Sequence, residues 1–574
     1  MPASSWLLKD ADPHQTAALA RDLGVSPLLA RLLLAREVWD APAARRFLGV
    51  EPSLLDPWEL PGMEAAAERL LDALDAGEQV VVYGDYDADG VTSTALLYSY
   101  LARAGYHVTY FLPHRFEDGY GMNLHAIEEL ADRGARLLVT VDNGVSSVRE
   151  VAFARELGLD VIVTDHHTPP AVLPEPYALL NPRLGGCPPE LSGLAGVGVA
   201  FALAAALEQR APSYGVEDLL DLVAIGSIAD MAPLTGVNRT LVGAGLHLIA
   251  TATRPGIKAL ADVAGIASIA NVAAQDIGFR IGPRINAAGR MDHPEIALKL
   301  LLAQDLDEAE ALAAELERLN RLRQETSRRI EAEAHALVAA EVDLAEDAVI
   351  VLAKEDWHRG IIGIVAARLV EAYGLPVILL GADGDHWKGS GRSPDTIHLF
   401  GALEACREHL DRFGGHAQAA GLALEAGRLE GFRERLNEAV RRQTGGERPQ
   451  GPLVLDAEVS LGEVSPQLIR ELMRLEPTGQ GNPEPRLGLR RVQVLRQKQR
   501  GKDKTHLWLE LRDGVEIREA VGFGMGGLYP VPDVVDVAFT PEFNFWQGQA
   551  RVQMRLHALF PAAPEPLIAL EQQA

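Results

Sequence analysis

Apolar runs alternate with amphipathic segments between residues 78 and 240. The amphipathic segments, such as LHAIEELADRG and SVREVAFARELG, have the spacing of surface helices. The apolar runs are short and rich in β-branched residues, and they predict five strands: QVVVYG, HVTYFLP, RLLVTVD, LDVIVTD and YALLNP. Strands that alternate with helices in this way predict an α/β fold with a mostly parallel sheet and helices on its faces.

The stretch between Pro294 and Gly360 contains no glycine or proline and is made largely of strong helix formers. About 40 residues at ~1.5 Å each would span ~60 Å, which favours a helix that connects two domains. A second α/β pattern follows, then the polar linker RRQTGGERPQGP, and then five or six short strand candidates. These strands predict a small β-barrel of the oligonucleotide-binding (OB) type.

The pattern divides the 574-residue chain into six parts. We expect an N-terminal helical region (1–75) that packs on the first α/β domain (76–300). The connecting helix (301–345), a second α/β domain (346–445), the barrel (450–562) and a short tail (563–574) follow.

The formal net charge of −26 argues against bulk attraction to nucleic acid or to an anionic membrane, although a local basic groove remains compatible with it. Two cysteines exclude a disulfide framework and favour a reducing compartment. The N-terminus lacks the features of a secretory signal, and the longest uncharged stretch falls short of the ~20 residues of a membrane-spanning helix. We therefore expect a cytoplasmic protein without membrane association.

Three successive strands of the first α/β domain end in acidic residues, and a fourth acid closes an uncharged helix. Because the carboxyl ends of parallel strands lie along one edge of a sheet, these groups can converge there. The residues are Asp85, Asp87 and Asp89 in GDYDADG, Asp142, Asp165 with His166 and His167, and Asp230.

Each of these residues also has a simpler interpretation. A single acid after a strand is often a helix cap or turn former, and a single histidine is often a satisfied surface or core group. A calcium loop is excluded because its twelfth position, counted with Asp85 as the first, is Leu96 rather than an acid. Converging carboxylates about 4 Å apart repel by ~1 kcal/mol in water and by more when buried, and bound cations remove that repulsion. Carboxylates that bridge two cations suit displacement at phosphorus, and the histidines favour Mn²⁺ over Mg²⁺.

A resemblance joins these acids to other motifs. The blocks GDYDADGVTSTALL, PHRFEDGYGMN, VTVDNGVS, VTDHH, AIGSIADMAPL, FRIGPRINAAGRMD, WHRGIIGIVAARL, SGRS and FGGHAQAAG run in order from about residue 80 to 421. In these blocks the chain resembles the DHH family of phosphoesterases, and within it the single-strand-specific exonucleases. The resemblance implies two divalent ions, with Asp142 as the bridge and His167 and Asp89 assisting. The implied ligands are Asp85, Asp87, Asp142, His166 and Asp230.

The same resemblance implies a DHH-associated domain that faces the metals across a cleft, with His416 near the scissile phosphate. The glycines before His416 are followed by a predicted Ala-rich helix, whose start would bind phosphate; a plain tight turn is the alternative. Arg115, Ser390 and Arg392 are candidates for a 5′-phosphate pocket, with surface ion pairs as the alternative for the arginines. Arg280 and Arg284 would either contact backbone phosphates or brace the domain junction.

The most basic stretch of the chain lies in the predicted barrel, between Arg486 and Lys504, and Trp508 follows it. Cations along a groove and exposed aromatic side chains are features of single-strand binding. The alternative is a solvated hairpin with core aromatics, and alternation within HLWLEL indicates that some aromatics point inward. Phe543, Phe545 and Trp546 are further aromatic candidates.

The resulting hypothesis is a single-stranded DNA exonuclease of recombination and repair that prefers Mn²⁺ and also accepts Mg²⁺. It would act 5′ to 3′, release nucleoside 5′-monophosphates, be monomeric and work with a helicase and a single-strand-binding protein.

One alternative is a DHH phosphodiesterase for short oligonucleotides or signalling dinucleotides, which does not need a basic barrel. Another is a non-catalytic replication scaffold, which would be expected to lose metal ligands, whereas all five are present here. The short tail indicates that any longer C-terminal partner-binding extension is missing or minimal.

Overall fold

The computed structural model describes residues 6–50, 55–251, 254–445, 453–546 and 549–562. Among these residues no helix combines the length and the apolar character needed to cross a membrane. The predicted tail, residues 563–574, and most of the predicted linker lie outside the described residues.

The N-terminal region contains one strand and four helices: β1 (Trp6–Leu8), α1 (Pro13–Leu23), α2 (Pro27–Leu34), α3 (Ala41–Phe47) and α4 (Met63–Ala76). Helix α4 packs on the first α/β domain, and α3 contacts it through Phe47, whose ring centroid lies 4.2 Å from the Arg239 guanidinium. The expectation that the N-terminal region packs there therefore holds only in part, because α1 to α3 bury leucines such as Leu29 and Leu33 in one core with the C-terminal barrel. The strand β1 also pairs with the C-terminal region, with Trp6 opposite Leu453.

The first α/β domain contains a five-stranded, wholly parallel sheet in the order β3-β2-β4-β5-β6. All five strand predictions are confirmed, at β2 (Gln79–Tyr83), β3 (His107–Phe111), β4 (Leu137–Val141), β5 (Asp160–Thr164) and β6 (Ala178–Leu180). Alternate side chains of each strand enter two different cores, because helices cover both faces. The helices are α5 (Ala88–Arg103), α6 (Leu124–Asp132), α7 (Val148–Glu156), α8 (Gly196–Arg210), α9 (Leu220–Ala229), α10 (Gly236–Thr251), α11 (Pro255–Val263), α12 (Ala274–Asp276), α13 (Gly282–Met291) and α14 (Glu295–Leu302).

The long connecting helix is α15 (Leu306–Glu341), and its 36 residues span ~54 Å. Asp305 caps its start by accepting backbone N–H groups of Asp307 and Glu308. Leu316 and Leu319 lie in the core of the first α/β domain, whereas Ile330 and Val338 lie in a core of the second. The helix therefore joins the two domains by contributing to both cores.

The second α/β domain contains a mixed sheet in the order β10-β11-β9-β8-β7. The strands are β7 (Ile350–Ala353), β8 (Val377–Asp383), β9 (His386–Arg392), β10 (Arg412–Gly415) and β11 (Ala419–Glu425), and the helices are α16 (Ile362–Tyr373), α17 (Leu399–Glu404) and α18 (Leu429–Thr444). The Ala-rich segment after His416 is strand β11, so the predicted helix at this position is wrong. Ala420 and Gly421 pair with Gly391 and Ser390 of β9, and this sheet pairing outweighs the helix propensity of alanine.

The C-terminal domain is the predicted barrel. Its elements are β12 (Leu453–Leu455), β13 (Ala457–Glu458), α19 (Pro466–Met473), β14 (Leu487–Arg500), β15 (His506–Asp513), β16 (Glu516–Gly522), β17 (Val534–Trp546) and β18 (Gln549–Pro561). The order β14-β15-β16-β18-β17 closes on itself because β17 also pairs with β14. A closed five-stranded barrel with an extra helix is the arrangement expected of an OB domain.

Candidate metal centre

Acidic and histidine side chains meet at the carboxyl edge of the parallel sheet. Asp85 and Asp87 follow β2, Asp142 follows β4, His166 follows β5, and Asp230 lies at the end of α9. Three groups of possible metal-donor atoms lie within 4.8 Å of one another: Asp85 with Asp87 and Asp142, Asp142 with His166 and His167, and Asp89 with His166 and Asp230. Asp142 belongs to two of these groups, which is the position that the resemblance implied for a bridging ligand.

His166 lies at the centre of the cluster. Its Nε2 is 3.1 Å from Oδ1 of Asp142, and 3.7 Å from Oδ2 of both Asp89 and Asp230. Burial lowers the pKa of His166 to about 3, so the ring is neutral at physiological pH. A neutral imidazole is the form that binds a metal ion.

Three buried atoms of the cluster have no hydrogen-bond partner among the described residues: Asp85 Oδ1, Asp142 Oδ1 and His166 Nε2. Burial and then the neighbouring carboxylates raise the pKa of Asp142 well above its usual range, and they raise the pKa of Asp230 to about 8. Unpaired buried polar atoms and crowded like charges are both unfavourable. Divalent cations would supply the missing partners, and a set of carboxylates with imidazole suits Mn²⁺ and tolerates Mg²⁺.

Asp87 and Asp89 are held by helix N-termini. Asp87 Oδ1 accepts backbone N–H groups of Asp89 (3.0 Å) and Gly90 (3.1 Å), so the helix-cap interpretation is correct for one of its oxygens. Asp89 accepts the first two N–H groups of α8, from Gly196 (2.7 Å) and Val197 (2.9 Å). Burial and then the charge of Asp87 raise the pKa of Asp89 to about 7. The cluster is therefore fixed at its edges by backbone hydrogen bonds.

The chain takes an unusual conformation at Asp142, whose φ of 62° lies in the left-handed region. The start of α8 lies directly against this residue, because a Cβ at Gly196 would be 2.7 Å from Cβ of Asp142. Only glycine permits this approach. The backbone strain and the close contact both serve to aim one carboxylate into the cluster.

Asp165 is a site residue that we did not assign a role from the sequence. Its Oδ1 accepts the backbone N–H groups of His166 (2.7 Å) and His167 (3.0 Å) and lies 2.7 Å from Nδ1 of His167. Burial alone would lower the pKa of His167, but the Asp165 carboxylate raises it to about 9. Asp165 thus orients both histidines. The sequence signal was its place directly before the histidine pair.

Ser390 and Arg392 lie beside the start of α16 in the second α/β domain. Arg392 donates to Ser390 Oγ at 3.0 Å, and a Cβ at Gly363 would be 2.7 Å from that hydroxyl and 3.1 Å from the guanidinium. The guanidinium of Arg115 lies 4.6 Å from the ring centroid of Tyr86. In the sequence, Tyr86 stands between the ligand candidates Asp85 and Asp87. Burial and then the charge of Arg115 lower the pKa of Arg392, so these two cations are neighbours.

Arg290 in α13 completes this cationic pocket, and the sequence analysis missed it. It donates to the carbonyl of Gly360 at 3.0 Å, and burial followed by the charge of Arg115 lowers its pKa to about 9. In the described part of the chain, none of Arg115, Arg290 and Arg392 has a carboxylate within ion-pair distance. Three neighbouring cations without an ion-paired acid predict an anionic ligand. The sequence signal for Arg290 was its place as the last arginine of FRIGPRINAAGRM.

The other substrate candidates lie in different surroundings. Arg284 pairs with Glu317 of the connecting helix α15 at 2.8 Å, which favours the bracing alternative for this residue. Arg280 lies 3.5 Å from Asp276 and donates to the carbonyl of Gly265, so its contacts stay within the first α/β domain. His416 is exposed in the turn between β10 and β11. No described contact joins its side chain to the acidic cluster.

The outer face of the barrel carries Trp508 between two cations. Lys498 Nζ and the Arg500 guanidinium lie 5.7 and 5.6 Å from the ring centroid. The leucines of HLWLEL are buried in the barrel core, so the inward positions predicted for aromatics in that segment are taken by leucine. The side chains of Phe545 and Trp546 lie outside the described residues.

Three family models match successive parts of the chain: the DHH family N-terminal domain at residues 79–227, the DHHA1 domain at 346–442 and the RecJ OB domain at 455–558. The fold and the metal centre together define a phosphoesterase of the DHH class.

Curated relatives give a narrower assignment. The single-stranded-DNA-specific exonuclease RecJ of Bacillus subtilis is 37% identical over 557 residues, covering 96% of this chain and 70% of the relative. The RecJ of Escherichia coli is 37% identical over 583 residues, covering 96% and 99%. A crystal structure of RecJ with Mn²⁺ from Thermus thermophilus superposes with a TM-score of 0.85 and 34% identity, covering 97% of this chain and 80% of that one. The chain belongs to the RecJ family of single-stranded-DNA-specific exonucleases.

Proposed function

We propose that the chain hydrolyses single-stranded DNA from the 5′ end with two divalent cations, Mn²⁺ preferred, and releases nucleoside 5′-monophosphates. The observation that carries this proposal is the position, beside the metal centre, of a cationic pocket whose three arginines form no ion pair among the described residues. Tyr86 connects the two sites, because it stands between Asp85 and Asp87 and its ring lies under Arg115. A terminal phosphate in the pocket would place the first phosphodiester over the acids.

Each part of the site has a defined task in this proposal. Asp85, Asp87, Asp142, His166 and Asp230 would hold the cations, which supply a bound water of lowered pKa and charge neutralisation at phosphorus. Asp89 anchors α8 against the cluster, and Asp165 orients the histidines. The Asp165 carboxylate raises the pKa of His167 to about 9, and a protonated ring would donate a hydrogen bond to a phosphate oxygen.

The pocket would select the 5′ end. Arg115, Arg290 and Arg392 offer guanidinium donors and Ser390 a hydroxyl, and charge-assisted bonds to phosphate are worth ~1.5–3 kcal/mol each. A 5′-hydroxyl end cannot make these bonds. We therefore expect a strong preference for 5′-phosphorylated strands.

The barrel would hold the part of the strand that awaits cleavage. Trp508 offers a stacking face flanked by Lys498 and Arg500, and stacking contributes ~1–3 kcal/mol per base. A substrate of a few nucleotides would not need this surface. We further propose that the monomer acts in the cytoplasm with a helicase and a single-strand-binding protein, which would supply the unpaired strand.

The test compares wild type with Asp87→Ala on 5′-phosphorylated single-stranded DNA in Mn²⁺, labelled at either end. Wild type should release the 5′ label as mononucleotide at once, while the 3′ label passes through a ladder of shortening fragments. Asp87→Ala should release neither, and the matched variant Asp132→Ala, at an exposed acid in α6, should behave as wild type. Early loss of the 3′ label would contradict the proposed 5′ to 3′ direction. Cleavage by Asp87→Ala would contradict the proposed metal centre.

A further inference from the structure

Arg239, in the first turn of α10, makes an unusual set of contacts. Its buried guanidinium donates to five backbone carbonyls from two other parts of the chain, and it lies 4.2 Å from the ring centroid of Phe47. Within the described ranges no carboxylate lies at ion-pair distance from it. The acceptors are Phe47 (2.6 Å), Leu475 (2.8 Å), Pro477 (3.0 Å), Arg474 (3.2 Å) and Glu476.

Four of these carbonyls belong to the segment that leaves α19 in the C-terminal domain. We call residues 474–482 the latch segment. Asn482, which ends it and is fully buried, donates to the carbonyls of Leu475 (2.7 Å) and Pro477 (2.8 Å). These carbonyls lie beyond the last residue of α19, where no helix or sheet supplies donors, and a guanidinium from the first α/β domain, the proposed catalytic domain, donates to them. Arg239 therefore fixes the latch segment to the catalytic domain.

The latch segment in turn contacts the chain that follows Asp230. The N–H of Leu234 donates to the carbonyl of Gln480 at 2.7 Å. A Cβ at Gly479 would lie 2.8 Å from Cδ1 of Leu234, and one at Gly481 would lie 3.1 Å from Cβ of Pro233. A side chain at Gly479 would press on Leu234, and Gly481, whose φ of 71° lies in the left-handed region, favours glycine for its backbone conformation as well. The segment thus covers residues 233–234, three to four positions beyond a proposed metal ligand.

The same turn of α10 also supports the other side of the site. Asn238 donates to the carbonyl of Pro233 at 3.1 Å and to that of Gly193 at 2.6 Å. Gly193 leads into α8, whose first N–H groups bind Asp89. Met231, directly after Asp230, has a φ of 58°, which is a strained conformation that the surrounding contacts must maintain.

We infer that Arg239 is a positioning residue for the metal centre: by holding the latch segment of the C-terminal domain against residues 233–234, it fixes the turn that carries Asp230. The inference rests on the proposed role of Asp230 as a ligand. Groups that orient metal ligands typically change metal affinity ~10–100-fold when they are removed. The barrel domain would then contribute to catalysis at the metal centre as well as to strand binding.

The experiment titrates the full chain with Mn²⁺ and follows the melting temperature, with Asp230→Asn as the reference for a lost ligand. Arg239→Lys keeps the charge but loses the fork of donors, and Gly479→Ala disturbs the latch segment without touching Arg239. Arg69→Lys is the matched control. Arg69, in α4, is also buried against the catalytic domain, but it pairs with Glu78 and Asp160 at the opposite edge of the sheet.

Arg239→Lys and Gly479→Ala should each raise the Mn²⁺ concentration for half-maximal stabilisation about tenfold. Both should also lower the rate on a 5′-phosphorylated dinucleotide that is too short to reach the barrel, whereas Arg69→Lys should change neither quantity. The inference is overturned if both variants melt lower in EDTA but respond to Mn²⁺ as wild type does, since the latch would then serve stability alone. If Asp230→Asn also responds as wild type does, the proposed ligand set itself is wrong.

Discussion

Replacing Asp142 by asparagine should stabilise the metal-free protein and destabilise the metal-bound one relative to wild type. Asp142 lies within 4.8 Å of both Asp85 and Asp87, measured between possible ligand atoms. At that distance and an effective dielectric constant of ~20, one carboxylate pair costs ~3 kcal/mol. Proton uptake and relaxation relieve part of this repulsion, so we expect Asp142→Asn to gain about 2 kcal/mol in EDTA at pH 8. For a domain of this size that gain corresponds to a rise of ~4–8 °C in melting temperature.

Saturating Mn²⁺ should reverse the order. A ligand present at 100 times its dissociation constant stabilises the folded state by ~2.7 kcal/mol, and Asp142→Asn should lose most of that gain with its central ligand. Asp221→Asn is the matched control, because Asp221 is an equally buried acid that is paired with Arg254 at 3.0 Å. It should melt lower than wild type with or without metal.

Measuring stability as a function of pH tests whether repulsion between the carboxylates destabilises the metal-free protein. The pKa of Asp89 is raised to about 7 and that of Asp230 to about 8. At any pH between the ordinary pKa of these carboxyl groups and the raised one, the folded state therefore binds more protons than the unfolded state. Stability of the metal-free protein should therefore fall as pH rises from 6.5 to 8, and Mn²⁺ should abolish the fall. The reasoning is refuted if Asp142→Asn melts at or below wild type in EDTA, or if Mn²⁺ stabilises both proteins equally.

Three further substitutions test the rest of the site. Arg290→Met should reduce the preference for 5′-phosphorylated over 5′-hydroxyl ends at least tenfold in competition assays, while Arg284→Met keeps it, because only the first removes an unpaired cation from the pocket. Asp165→Asn should raise the Mn²⁺ requirement for cleavage ~10–100-fold, measured by metal titration, because the amide removes the charge that holds the His167 ring and replaces one accepting oxygen by an N–H donor. Trp508→Ala should raise KM several-fold for strands of 20 nucleotides or more and leave the dinucleotide unaffected, because only the long strand reaches the barrel.

The acidic cluster could be predicted from the sequence because its cause is local. Apolar runs that end in acid define parallel strands, and parallel strands bring their ends together whatever the rest of the chain does. Asp85, Asp142 and His166 all follow from that rule. The φ of 62° at Asp142 and the contact with Gly196 could not be predicted, because they depend on how α8 approaches the sheet.

The errors have a common origin in contacts between distant segments. The Ala-rich stretch after His416 became β11 because β9 offered it an open edge, and α1 to α3 pack on a barrel more than 400 residues away. Arg239 gave no signal for the same reason. Its partners are backbone carbonyls, which every residue carries, so no pattern of side chains marks them.

The metal centre and the latch segment solve one physical problem together. Crowded carboxylates tend to move apart when no cation is bound, and the turn after Asp230 is the part of the cluster that has no strand to hold it. Asp85, Asp142 and His166 are held by the sheet, and Asp89 by α8. Asp230 lies at the end of α9, and the turn that follows it is held by α10 and by the C-terminal domain, so the domain that we propose to hold the DNA strand also supports the ligand that is least constrained by the catalytic sheet.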